Sequence, residues 1–356
     1  MLDAGAKKMR KNFSVGALFQ NNASLPEWMF RVRRMRGCKT RMAALKRAPA
    51  GGHLRSFRVR SILLVGVTNA ARGKESAMDQ VLEQHPAPEA VPAIDAMLNY
   101  FINDGSKIFT EAAGAGERDK RAGTIDSRKV AIHNGRLHSA EFELERQGFR
   151  FVRHDTRVTD FFDEAEIRRV YYPEMERLVK AESGASRVLV FDHTLRTGDD
   201  AMREQLKIRE VVPRVHNDYT EWSAPQRVRD ILPDEAEELL KRRFAIVQVW
   251  RPIRHPVESS PLAMCDAGSI SVDDLVISER RYPNRVGQTY AIVYNPNHKW
   301  FWFPHMRRDE AIVFKVFDSS KDGRARWPAH TAFDDPTSPP NARPRESIEI
   351  RTLAFF

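Results

Sequence analysis

Residues Val215-His216-Asn217-Asp218-Tyr219-Thr220 set an imidazole and a carboxylate two positions apart. On a strand, positions i and i+2 share a face, so His216 and Asp218 can offer neighbouring ligand atoms to one metal ion. A third ligand from a distant strand would complete a facial set of two histidines and one carboxylate. Such a set suits Fe(II) and leaves positions open for substrate and O2. The tripeptide alone is a weak signal. With eleven histidines in the chain, about one His-x-Asp is expected by chance. A hydrogen-bonded surface pair ahead of a turn is the plainer reading at this point.

The distal ligand has four candidates. His298 stands in Asn295-Pro-Asn-His-Lys-Trp300, His305 in Pro304-His-Met306, and His255 between Arg254 and Pro256. His330, in Trp327-Pro-Ala-His-Thr-Ala-Phe333, lies just before the last predicted strand. In a barrel whose first and penultimate strands meet in space, His330 is the best placed, with an ordinary loop histidine as the alternative. A keto-acid cosubstrate such as 2-oxoglutarate needs a cation for its far carboxylate, and a guanidinium offers a bidentate fork. Arg345 and Arg351 share strand parity after His330, so either can face an interior. An exposed pair on an edge strand is the plainer reading of both. Arg251, on a predicted buried strand, needs a partner if enclosed and is a third carboxylate binder to consider. Tyr219, Trp222, Trp250 and Asn295 are further pocket candidates.

The text around these residues is strand-rich. Phe149 to Val152, Arg187 to Phe191, Phe244 to Trp250, Tyr290 to Tyr294, Trp300 to Phe303, Ala311 to Phe317 and Ser347 to Phe355 read as strands. Turns rich in Pro, Gly, Asn and Asp separate them, which predicts a sandwich or jelly roll. Lys129 to Arg136 reads as a strand ending in an Asn-Gly turn. Asp163 to Lys180 has one apolar face at helical spacing, with Pro173 expected to kink or divide it. Ala224 to Arg242 also patterns as helix. There is no GxGxxG or GxxxxGK loop, so a Rossmann or P-loop reading has no support.

Composition sharpens the picture. The chain has 356 residues and only two cysteines, Cys38 and Cys265, which excludes a disulfide scaffold or a Cys-based zinc site. The net charge of +10 is uneven. Residues 1–75 hold 17 Lys or Arg against 3 Asp or Glu, and the remainder holds 41 against 45. The basicity therefore belongs to an N-terminal arm, and a nucleic-acid groove is not expected. Residues 1–85 read as a disordered or misassigned basic extension, with a mitochondrial transit peptide as a lesser alternative to a cytoplasmic protein. The apolar run Ser61 to Val67 is too short to span a bilayer. Residues 86–356 read as a single domain with its core mostly in 187–356.

Several ordered blocks go further. They are Val215 to Thr220, Val249-Trp-Arg-Pro-Ile253, Pro261-Leu-Ala-Met-Cys-Asp266 and Tyr294 to Pro304. Phe314 to Ser320, His330-Thr-Ala-Phe-Asp-Asp-Pro336 and Arg345-Glu-Ser-Ile-Glu-Ile-Arg351 continue the series. Together they resemble the AsaB-like hydroxylase/desaturase family, which includes gibberellin-desaturase-type and cephamycin 7-alpha-methoxylase-type proteins. The resemblance covers roughly residues 90 to 356. It implies a mainly β protein with flanking helices and a double-stranded β-helix (jelly roll, cupin-like) core. It also implies an oxygenase that uses Fe(II), 2-oxoglutarate and O2 to hydroxylate or desaturate a small secondary metabolite. His216, Asp218 and His330 would be the ligands, and Arg345 or Arg351 the cosubstrate clamp. The methoxylase likeness also allows an accessory subunit that partners a methyltransferase, and a homo-oligomer is open. Gln248 stands where the family pattern leads one to expect Asn, which is expected to alter a polar contact in the cavity.

Overall fold

The computed structural model describes residues 91–114 and 116–356. The basic segment 1–85, its run Ser61 to Val67, and Cys38 lie outside the described residues. Along the chain run β1 (Ala93–Phe101), β2 (Phe109–Glu111), β3 (Lys120–Ala122), β4 (Ile125–Asn134), β5 (Phe149–Arg153) and β6 (Arg187–Thr197). β7 (Arg209–Glu210), β8 (His216–Asn217), β9 (Phe244–Pro252), β10 (Leu262–Cys265), β11 (Leu275–Tyr282) and β12 (Arg285–Ile292) follow. The last are β13 (Trp300–Trp302), β14 (Glu310–Asp318), β15 (His330–Ala332) and β16 (Glu346–Phe355).

They form two sheets. One has the order β1-β4-β13-β10-β15-β8-β12-β11-β2-β3, the other β5-β14-β9-β16-β6-β7. Their inner faces share an apolar cluster. Ile246, Trp250, Phe314 and Leu353 of the smaller sheet meet Leu262 and Met264 of the larger. The outer face of the smaller sheet, with Val247, Val249, Val313, Ile348 and Ile350, is covered by Ile167, Tyr171, Met175 and Val179 of a helical segment. Burial on both faces explains why β9 and β14 are buried along their whole length and read as nearly continuous apolar runs. The architecture is the predicted jelly roll with flanking helices.

The covering helix runs from Glu164 to Ser183, with a π-helical turn at Ile167–Tyr171 directly before Pro173. Proline cannot donate to the helical ladder, and the π turn absorbs that loss, so the helix is modified and not divided. Gly184 closes it at φ 72°, a left-handed cap that glycine adopts without a Cβ penalty.

Three expectations are revised. The Asn134-Gly135 turn takes a helical form: Asn134 ends β4, accepts from Arg136 N and caps a single 3-10 turn, Gly135–His138. A Cβ on Gly135 would stand 2.6 Å from Phe303 Cε1, so close approach of that ring requires the glycine. The Ala224 to Arg242 pattern splits into Ser223–Ile231 and Ala236–Leu239 around Pro233. The strand expected at Tyr290 begins five residues earlier, at Arg285, because it pairs along its whole length with β11. No helix among the described residues is long and apolar enough to cross a membrane.

Candidate metal centre

β8 is only two residues long, and its neighbours position it. His216 is the cross-strand partner of His330 on β15 and of Ala291 on β12. The rings of His216 and His330 lie 4.3 Å apart between centroids. Asn217 points the other way, donating its amide to Tyr219 O and Val316 O. That alternation returns Asp218 to the His216 side, with Asp218 Oδ1 at 3.6 Å from His216 Nε2. One ligand atom from each of His216, Asp218 and His330 lies within 4.8 Å of the others. Of the four distal candidates, His330 is the one the fold brings beside His216 and Asp218. His298 bonds to Asp274 and Tyr100, His255 meets Arg343, and His305 adopts a left-handed turn conformation at φ 47°.

The protonation chemistry suits a cation. His216 Nδ1 sits 2.7 Å from Arg214 O. A carbonyl only accepts, so Nδ1 carries the proton and the Nε2 lone pair is turned toward Asp218. Burial, together with His216, pushes the His330 imidazole down to about 3, so it stays neutral. Its Nδ1 is buried without a hydrogen-bond partner, an unmet polar atom beside the cluster. Burial pushes the Asp218 carboxyl up, but Arg351 and the two imidazoles outweigh it, and the group lies well below the ordinary carboxylate range. The neutral imidazole of His330, the ionised carboxylate of Asp218 and the second imidazole of His216 are a fitting donor set for Fe(II).

Asp218 is held by two neighbours in register. Gln248 on β9 and Arg351 on β16 are cross-strand partners. Gln248 Nε2 donates to Asp218 Oδ2 at 2.6 Å, and Arg351 Nε lies 3.8 Å from the same oxygen. The expected polar role of Gln248 is thus a bond to the ligand carboxylate. Arg351 also bonds Thr194 Oγ1 at 2.8 Å, Asp192 at 3.2 Å and Glu349.

A cavity of about 570 Å³ opens beside the triad, and its wall includes His216, Asp218, Tyr219, Trp222, Arg196 and Arg351. The other predicted residues fall elsewhere. Arg345 is buried within the barrel under Trp250, its Cζ 5.4 Å from that ring, and it donates to Ser260 O at 2.6 Å. Its Nε has no partner, and it is not part of the cavity wall. Arg251 is not brought to the cavity at all. It lies on the opposite face of β9 from Trp250, bonded to His154 O, His154 Nδ1 and Arg308 O over Tyr171. Strand alternation separates it from Gln248 and Trp250. Asn295 is taken up by Asp274. Arg196 was missed because the strand expected to end at Phe191 continues to Thr197. Polar Asp192, Thr194 and Arg196 repeat at every second position there, a period-two signal that could have extended it.

The fold and the site can be set beside known proteins. A family model described as an oxidoreductase/YMDC permease-like domain matches residues 98–355. A hydroxylase/desaturase, efuI of Hormonema carpetanum, is 32% identical over 295 residues, covering 74% of this chain and 96% of that protein. An alpha-ketoglutarate-dependent dioxygenase, phiK of a fungal species, is 30% identical, covering 74% of this chain and 96% of its own length. The solved structure of the iron and alpha-ketoglutarate-dependent endoperoxidase NvfI superposes with a TM-score of 0.67 at 26% identity, over 74% of this chain and 98% of that one.

Proposed function

Because the chain belongs to the family of Fe(II)/2-oxoglutarate-dependent dioxygenases and hydroxylase/desaturases, we propose that it hydroxylates or desaturates a small secondary metabolite. We assign His216, Asp218 and His330 as the iron ligands. The observation that carries this is the convergence of those three donors, remote in sequence, to within 4.8 Å. Bound there with 2-oxoglutarate and O2, the iron would supply the oxidising power to break an unactivated C–H bond. The protein orients and shields. Arg214 O fixes the His216 tautomer, and Gln248 and Arg351 keep Asp218 ionised and aimed. A complete ligand set speaks against a non-catalytic accessory role.

The two arginines, Arg345 just before β16 and Arg351 within it, take different tasks. Arg351 already has three partners and serves Asp218. Arg345 is fully enclosed, has no carboxylate within ion-pair distance and leaves Nε unpaired, and Ser347 Oγ two residues on is also buried without a partner. A buried guanidinium without an anion is costly, and the far carboxylate of 2-oxoglutarate would satisfy both groups. We therefore assign Arg345 as the cosubstrate anchor. We also keep residues 86–356 as one oxygenase domain, cytoplasmic, acting on a small molecule.

Anaerobic titration with Fe(II) and 2-oxoglutarate should develop the visible charge-transfer band of the chelate. His216→Ala should abolish it. Arg345→Gln should raise the KM for 2-oxoglutarate more than tenfold with Fe(II) binding retained. Succinate release that is unchanged in His216→Ala overturns the assignment.

A further inference from the structure

The cavity wall is unusually cationic. It carries eight arginines against four aspartates, with no lysine or glutamate. Half of the arginines are neutralised. Arg280 pairs with Asp119 at 2.8 Å, Arg121 with Glu210 at 2.5 Å, and Arg285 with Asp230 at 4.0 Å. Arg351 is held as described above. Arg196, Arg209, Arg214 and Arg227 have no carboxylate within ion-pair distance among the described residues, although Glu349 and Asp218 act on Arg196, Asp119 on Arg209 and Glu210 on Arg214 from further off.

Three of these four are grouped by the fold. Arg196 on β6 and Arg209 on β7 are direct cross-strand partners in a parallel ladder, and both line the cavity. Like charges placed opposite each other on neighbouring strands repel. Arg196 bonds only a carbonyl, Glu210 O, at 2.9 Å. Arg214 lies at a bend two residues before His216, and both line the cavity. Its guanidinium rests over Phe101 at 5.8 Å, and no acid comes within ion-pair reach. These cations cost stability in the empty protein, and an anion seated among them would offset that cost. The cosubstrate does not account for them, since its far carboxylate is assigned to Arg345 inside the barrel.

We propose that the substrate is an organic anion, a carboxylic acid or its equivalent, whose negative group is held by Arg196, Arg209 and Arg214 at the mouth of the site. This rests on the oxygenase reading and names the chemical class of its substrate. The charged end then sets which carbon is presented to the metal, because Arg214 belongs to the segment that carries His216. The rest of the substrate would lie against Tyr219, Trp222 and Tyr290, which supply the apolar part of the wall.

The test uses the protein loaded anaerobically with Fe(II) and saturating 2-oxoglutarate, so that the cosubstrate seat is filled. The probes are 1-naphthoate and its uncharged methyl ester, two bodies of one shape that fit about 570 Å³. The acid is expected to bind at least tenfold tighter than the ester, with an advantage that shrinks as salt is raised. In Arg209→Gln and in Arg196→Gln that preference should fall below threefold, while the chelate band is unchanged. Equal or undetectable binding of the acid, or a preference that survives in both variants, overturns the proposal. If the chelate band never forms, the oxygenase reading fails; if it forms and the charge preference is absent, only the anionic substrate fails.

Discussion

Replacing Gln248 with leucine tests how the site is aimed. The Gln248 amide gives Asp218 Oδ2 a 2.6 Å hydrogen bond from a fully buried strand position. A bond to a charged acceptor contributes about 1.5–3 kcal/mol. Groups that orient metal ligands typically change metal affinity by about 10–100-fold, which is about 1.4–2.8 kcal/mol at 1.4 kcal/mol per tenfold. The two figures agree, so Gln248→Leu should weaken Fe(II) binding by about one to two orders of magnitude. The loss should not go further, because Arg351 still faces the same oxygen at 3.8 Å. The fold should tolerate the change. Gln248 Oε1 is buried without a partner, so leucine removes an unmet acceptor along with the useful donor. Calorimetric titration of the metal-free protein with Fe(II) under argon measures the affinity, and a thermal melt of the same sample measures the fold. An affinity within threefold of the parent, with the fold intact, would refute the claim that this amide aims the carboxylate.

Lys315→Met removes the cation that links Glu145 at 2.7 Å and Asp318 at 2.8 Å. Arg243 remains on both acids, so the cost should sit near the lower end for a broken buried pair, about 3 kcal/mol, read by urea unfolding. Gly135→Ala drives a methyl into the Phe303 ring at 2.6 Å and should cost about 1–3 kcal/mol by the same assay. Burial pushes the Asp318 and Glu145 carboxyls up, but Arg243 and Lys315 overcome it and both lie below their ordinary values. Their stabilisation is therefore present above the unfolded pKa values of about 4 and is lost as pH falls through the lower folded ones. Stability followed by urea midpoints should hold from pH 7 to about 5 and drop below about 4, and Asp318→Asn should lose less over that descent.

The long strands were legible in the sequence because burial on both faces writes a continuous apolar run, as in Phe244 to Trp250 and Ala311 to Phe317. β11 was not legible: Ser278-Glu-Arg-Arg281 carries charges on both parities, and only its pairing with β12 makes it a strand. His216 and Asp218 were legible as a pair because their spacing is a property of one strand. His330 was favoured over three other histidines by its place before the last strand and by the family resemblance, while the cross-strand register that sets it beside His216 leaves no mark in local sequence. The division of labour between Arg345 and Arg351 was equally hidden, since both have the same parity and differ only in which partners the surrounding strands bring to them.

That register is not set by the strands that bear the ligands. β8 has two residues and β15 three, far too few to specify a pairing of their own. A slip of one residue would turn every side chain to the opposite face, replacing His216 with Asn217 or His330 with Thr331 at the metal. The register is imposed from outside. On one side, Met264 of β10 pairs with His330, and Leu262 and Ala263 pair with the two residues that follow it. On the other, Tyr290 and Ala291 of β12 pair with Asn217 and His216, and β12 is locked along its eight residues to β11. The geometry of the His216, Asp218 and His330 cluster is therefore a property of β10, β11 and β12, none of which contributes one of the three side chains. Damage to the β11–β12 hairpin should weaken metal binding without touching an iron ligand, and the same hairpin lines the cavity through Ser278, Arg280, Gln288 and Tyr290. One element thus couples the placement of the three proposed ligands to the shape of the cavity beside them.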